Sequence, residues 1–140
     1  MAELAGKSGP RARPQYRNIH VSQILQYRLP LAGLVSILHR ISGALMFLAL
    51  PFLLWLFDLS LISEISYGRL AALASGALVK LVLLALCWAL LHHLVTGIRH
   101  LLLDLHVGIE KEAAARSAVL VYLVSLPLTL AAGLKLFGVL

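Results

Sequence analysis

Three long apolar runs joined by short polar connections decide what this chain can become. Leu31–Phe57, Ala71–Leu103 and Ala113–Phe137 each exceed the about 20 mostly apolar residues that a helix needs to cross a bilayer. Hydrocarbon offers the backbone no hydrogen-bond partner, so runs of this kind must be helical. The expected fold is an all-α membrane protein with three transmembrane helices spread over residues 31–137. Of the 140 residues, 61% are hydrophobic and the mean hydropathy is +0.93. A soluble domain is about 45–50% apolar, so the excess has to face lipid and other subunits. Pro51 and Pro127 fall inside two of the runs, where kinks are expected and where neighbouring helices can satisfy the freed carbonyls.

Charge sets the orientation. The net charge of +6 does not indicate nucleic acid, because the cations flank the apolar runs in the pattern that orients membrane proteins. Lys7, Arg11, Arg13, Arg17, Arg28 and Arg40 precede or open the first run, and Arg99, Lys111 and Arg116 surround the second connection. Only Arg69, Lys80 and Lys135 belong to the opposite side. Nine against three puts the N-terminal segment, residues 1–30, and the second connection in the cytoplasm (or matrix). Lys80 and Lys135 can snorkel to the outer interface. Residues 1–17, with Gly6, Gly9, Pro10 and Pro14 among several charges, are expected to be disordered or partner-dependent. The first thirty residues lack an apolar stretch followed by a small-residue cleavage site, so no cleaved signal is expected. Asp58–Leu70 reads as a polar outer loop and 104–112 as an inner loop of mixed charge. Cys87, the single cysteine, allows no intrachain disulfide and reads as a small buried hydrophobe.

The polar residues inside the runs form two patches. Ser36, His39, Arg40 and Gly43 fall at i, i+3, i+4 and i+7, one helical face. His93, Gly97, His100 and Asp104 fall at i, i+4, i+7 and i+11, again one face, with Thr96 beside it. From Arg40 to Asp58 there are 17 residues without a charge, roughly 26 Å of helix, which nearly fills a hydrocarbon core of about 30 Å. Arg40 therefore belongs at the inner edge. The 18 uncharged residues between Lys80 and Arg99 put Arg99 at a similar depth, and His93 lies roughly 9 Å deeper. Neutral imidazole is the commonest metal ligand among side chains, and a deep histidine below cationic groups suits a haem with its two propionates near the surface. Gly43 and Gly97 would give a flat ring room against the backbone.

Each residue alone also has a plainer reading. Arg40 and Arg99 can be interfacial anchors, and His93 can be interhelical hydrogen-bond glue. Gly43 and Gly97 can serve close helix packing, and Ser36 can bond the carbonyl one turn back. His20 and His106 lie outside the runs and read as solvated or interfacial.

Taken together, the motifs point further. Arg28-Leu-Pro30 followed by Ser36-Ile-Leu-His39-Arg40-Ile-Ser42-Gly43 resembles the start of the cytochrome b556 subunits of succinate dehydrogenase. His93-x3-Gly97-Ile-Arg-His100-x3-Asp104 resembles their second motif, Arg13-Pro14 also fits, and the resemblance covers about residues 13–137. It implies a membrane anchor of respiratory complex II that shares one haem b with a second small anchor subunit and contributes to a ubiquinone site. FAD and iron–sulfur clusters would sit on the flavoprotein and iron–sulfur subunits. Carried over, His93 is the axial ligand to haem iron, and the second ligand is a histidine of the other anchor. Ser36 and Arg40 match the quinone-site serine and arginine, and His39 with Arg40 matches the basic pair near the propionates. Gly43, Gly97, Arg99, His100 and Asp104 are given supporting roles. His92 adjoins His93, but the motif places the ligand seven residues before His100, and His92 points about 100° away on the helix.

The resemblance further implies a bacterial inner membrane, with the mitochondrial inner membrane as the other setting. Two other functions remain open: the anchor of a related fumarate reductase, and a small transporter subunit that uses the same polar residues as a pathway. A transporter more often carries an acidic residue within a span, and of the six acidic residues only Asp104 approaches one, at a helix end.

Overall fold

The structure is a computed structural model that describes Ser22 and residues 29–139. Readings that fall on residues 1–17, on Arg28 and on His20 lie outside the described residues. Among the described residues four helices follow one another: α1 Leu31–Ile62, α2 Glu64–Ala74, α3 Ala77–Asp104 and α4 Lys111–Leu136. There is no strand among the described residues, and α1, α3 and α4 are long and apolar enough to cross a membrane.

α1 begins at Leu31, directly after Pro30, whose carbonyl accepts from the Gly33 amide at 2.9 Å. It does not stop at Phe57. Ser60 donates to the Phe57 carbonyl at 2.6 Å, nothing between 58 and 62 breaks a helix, and the helix continues to Ile62. The segment expected as a polar outer loop is therefore helical on both sides of Ser63. That residue stops α1 and starts α2 through a reciprocal cap: Ser63 Oγ accepts from the Ser66 amide, and Ser66 Oγ accepts from the Ser63 amide, both at 3.1 Å. Such a box satisfies two of the amides that a helix start leaves without partners. Ser66 Oγ also donates to the Leu59 carbonyl at 2.7 Å, tying α2 back to α1. Ser75 and Gly76 turn the chain, so α3 begins at Ala77 instead of Ala71.

The turn after α3 closes with His106 in the left-handed region, φ 61. The His106 amide bonds the Leu103 carbonyl and the Val107 amide bonds the Leu102 carbonyl, each at 2.9 Å. That pair of bonds is a Schellman ending, usually built on glycine. α4 ends the same way on Gly138, φ 73. Both α1 and α4 run unbroken through Pro51 and Pro127.

α3 packs against α4 and α1, and α1 also touches α4. The shared core is small: Val35, Ala118 and Val121 are buried, with Ala32, Val95 and Tyr122 against them. Towards the opposite end Gly133 lets the Leu84 side chain close in, and a Cβ there would sit 3.3 Å from it. Most large apolar side chains point outward; Phe47 and Leu78 are both 75% exposed. A surface like this is stable only against lipid or other subunits.

Candidate functional site

The two polar faces meet. α1 presents His39, Ser42 and Gly43 to His93 of α3, and the imidazoles of His39 and His93 stack with centroids 4.0 Å apart at 13°. Nδ1 of His93 lies 3.0 Å from the His39 carbonyl oxygen and 3.2 Å from Ser42 Oγ. A carbonyl can only accept, so Nδ1 carries the hydrogen, and in the neutral ring Nε2 keeps its lone pair. Nε2 makes no hydrogen bond among the described residues and is not sealed inside the bundle. A histidine that ligates a metal through one nitrogen almost always donates the other N–H in this manner. His93 thus has the donor chemistry to hold a metal, haem iron included, through Nε2. Among the described residues no three histidine, cysteine or acidic side chains gather as a metal centre of their own.

The two glycines give room, but to imidazoles. A Cβ on Gly43 would fall 2.8 Å from His93 Cε1, and one on Gly97 would meet His39 Nε2 at 3.5 Å. His39 Nε2 is buried and unbonded. His100 joins the cluster, its ring 5.1 Å from His39 and tilted by 59°.

Ser36 and Arg40 stand on the same side of α1, nearer its start. Ser36 is half-buried, and its hydroxyl makes no hydrogen bond among the described residues, not even to the carbonyl one turn back. Arg40 is exposed and pairs with no carboxylate among the described residues; the one ion pair found there joins Arg116 to Glu112. Both side chains are open to whatever adjoins the helix. Asp104 is exposed at the last turn of α3.

Arg99 turns away from this cluster. It is only 7% exposed, and its Nε donates to Ser117 Oγ at 2.9 Å while a terminal nitrogen donates to the Ala114 carbonyl at 3.1 Å. It fastens α3 to α4. An apolar cavity of about 250 Å³ between those helices borders Arg99, Ser117 and Leu120 and does not include His93. His92 is fully buried between Trp88 and Tyr122, with centroids at 5.3 and 5.7 Å. The Val35 carbonyl faces its ring, yet neither nitrogen closes a hydrogen bond. His92 and His93 therefore serve different surroundings.

Two side chains that the sequence did not single out take part in this geometry. Ser42 stands inside the quoted motif but contacts a residue 51 positions away, which spacing along one helix cannot reveal. Ser117 is likewise visible only through Arg99.

A family model described as "Succinate dehydrogenase/Fumarate reductase transmembrane subunit" matches residues 12–132. The chain is similar to three bacterial proteins, each named a succinate dehydrogenase cytochrome b556 subunit. That of Paracoccus denitrificans is 33% identical over 92 residues, covering 66% of this chain and 71% of the relative. That of Rickettsia felis is 32% identical over 104 residues, 74% and 81%. That of Coxiella burnetii is 33% identical over 103 residues, 73% and 82%.

Proposed function

The chain belongs to the succinate dehydrogenase/fumarate reductase transmembrane subunit family, and on that premise we propose that it is a cytochrome b anchor of succinate:ubiquinone oxidoreductase. It is a multi-pass membrane protein of an oxidoreductase complex. The proposal adds the rest: a bacterial inner membrane, residues 1–30 on the cytoplasmic side, haem b shared with a second anchor subunit, and a quinone site beside Ser36 and Arg40. A flavoprotein and an iron–sulfur subunit would dock on that cytoplasmic side and bring FAD and the clusters. The three relatives carry the name succinate dehydrogenase, which favours succinate oxidation over the fumarate-reducing reading.

The observation that carries this proposal is the fixed state of His93. Its Nδ1–H is held by a carbonyl and a hydroxyl, leaving Nε2 as a lone-pair donor on an open side. Haem b, when bound, supplies a site that takes up and releases one electron at a time. His93 would hold it, and His39 and Arg40 would balance its propionates near the inner edge. Ser36 and Arg40 have the chemistry for a quinone. The free hydroxyl can donate to or accept from a quinone oxygen. The guanidinium can stabilise negative charge that develops on the oxygen as electrons arrive, an effect that strengthens where water is excluded. Protons reach that oxygen from the cytoplasmic edge through water and groups on neighbouring subunits.

The test is made on the intact purified complex. A reduced-minus-oxidised difference spectrum should show b-type haem; an intact complex without it removes the ligand role of His93. Ser36→Ala and Arg40→Leu should each lower quinone reduction by about 10-fold or more, the order of one charged or oriented hydrogen bond at a reacting oxygen. Succinate oxidation by an artificial dye should stay intact. Equal loss of both activities would mean failed assembly, and unchanged quinone reduction in the assembled variants would reject the quinone-site role.

A further inference from the structure

The same small device occurs twice, on opposite sides of α3. On α4, the Ser117 hydroxyl donates to the Ala114 carbonyl at 3.1 Å, three residues back, and those two oxygens then accept the N–H groups of Arg99. On α1, the Ser42 hydroxyl donates to the His39 carbonyl at 2.9 Å, again three residues back, and the same two oxygens face Nδ1 of His93. A serine that back-bonds in a helix is ordinary, and Ser60 and Ser75 do only that. In Ser42 and Ser117 the back-bond has a second effect. It spends the hydroxyl hydrogen on the helix's own carbonyl, so the oxygen turns its lone pairs outward beside that carbonyl. The result is a two-oxygen clamp for an N–H from the next helix.

We propose that Ser42 is a positioning residue for His93, acting through this clamp to fix the plane of the imidazole and the strength with which Nε2 donates to haem iron. The inference rests on His93 being the haem ligand. Three features support it. Ser42 is only 1% exposed, so its hydroxyl has no water to turn to and must bond within the bundle. Gly43, the next residue, leaves the imidazole just enough space to reach the clamp, since a Cβ there would fall 2.8 Å from Cε1. Acceptors on the second nitrogen of a ligating histidine raise its basicity and set ring orientation, and the hydrogen bonding around a haem ligand is one of the protein's means of tuning its potential. With two acceptors on Nδ1–H the ring donates more strongly and favours ferric iron. With one it donates less.

The experiment uses the whole purified complex and reads the haem directly, by redox titration and by the low-spin ferric resonance spectrum. S42A should keep its haem, titrate at a higher midpoint potential than the unaltered complex and show shifted g-values. S42T, which restores a hydroxyl, should return both toward the original. S117A makes the same cut in the other clamp and should leave the potential where it was. If S42A does not assemble, Ser42→Cys keeps the volume with a much weaker acceptor and is titrated in its place, with the same upward shift expected. A haem-loaded S42A or Ser42→Cys complex with unchanged potential and resonance overturns the proposal, as does an equal shift in S117A. Failure of the underlying ligand reading looks different: His93→Leu would then keep the original haem signal, whatever Ser42 variants do.

Discussion

Arg40 and Arg99, two cations that their spacing along the sequence puts at a similar depth, end in opposite surroundings. Arg40 is exposed beside Ser36 and unpaired among the described residues, whereas Arg99 is buried in the α3–α4 contact and spends its N–H groups on Ser117 and Ala114. Their substitution should therefore fail in different ways. Arg99→Leu removes two charge-assisted hydrogen bonds and should cost about 1.5–3 kcal/mol for such a bond, read as a lower melting temperature of the detergent-solubilised complex. Quinone reduction and dye-linked succinate oxidation should fall together in that variant. A selective loss of quinone reduction would instead put Arg99 at the quinone. The helical wheel already places Arg99 off the His93 face, but it cannot show Ser117 waiting on another helix. The glycines give a similar lesson. Their position on the polar faces of α1 and α3 is legible in the sequence; that imidazoles, His93 and His39, occupy the space beside them depends on how the two helices meet.

At the scale of elements, hydropathy reveals the three spans because the bilayer imposes both length and helix on them. It does not show where a helix ends outside the hydrocarbon. Ser63-x-x-Ser66 carries that information in a pattern that also suits a loop, and the reciprocal bonds between its two serines are what make it a helix start. Ser63→Ala removes the cap and should cost about 1 kcal/mol. Hydrogen exchange at the amides of residues 64–67 should then speed up roughly fivefold, as a local opening made easier by that amount requires, while amides at the centre of α3 keep their rates. Unchanged exchange in α2 would mean that its contacts with α1, not the cap, hold its first turn. The turn on His106 is equally hidden in the sequence, since a left-handed residue at that position is ordinarily glycine.

At the scale of the whole molecule, the chain is a short bundle with little interior of its own. Among the described residues four apolar side chains make up the buried core, Val35, Ala89, Ala118 and Val121, and the polar groups are divided between two sides of α3. One side, with Arg99 and His92, is turned inward against α4 and α1. The other, with His93, His100 and the His39 ring, is shared with α1 and leaves Nε2 of His93 without a partner among the described residues. An arrangement that fixes one nitrogen of a histidine and leaves the other open suits a metal ligand, and the chain belongs to the succinate dehydrogenase/fumarate reductase transmembrane subunit family. The most direct measurement is the reduced-minus-oxidised spectrum of the complex purified with His93→Leu beside the complex purified with His92→Leu. His93→Leu should abolish or reshape the b-type haem bands, and His92→Leu should preserve them. An unaltered spectrum in the His93→Leu complex would contradict the ligand role of His93.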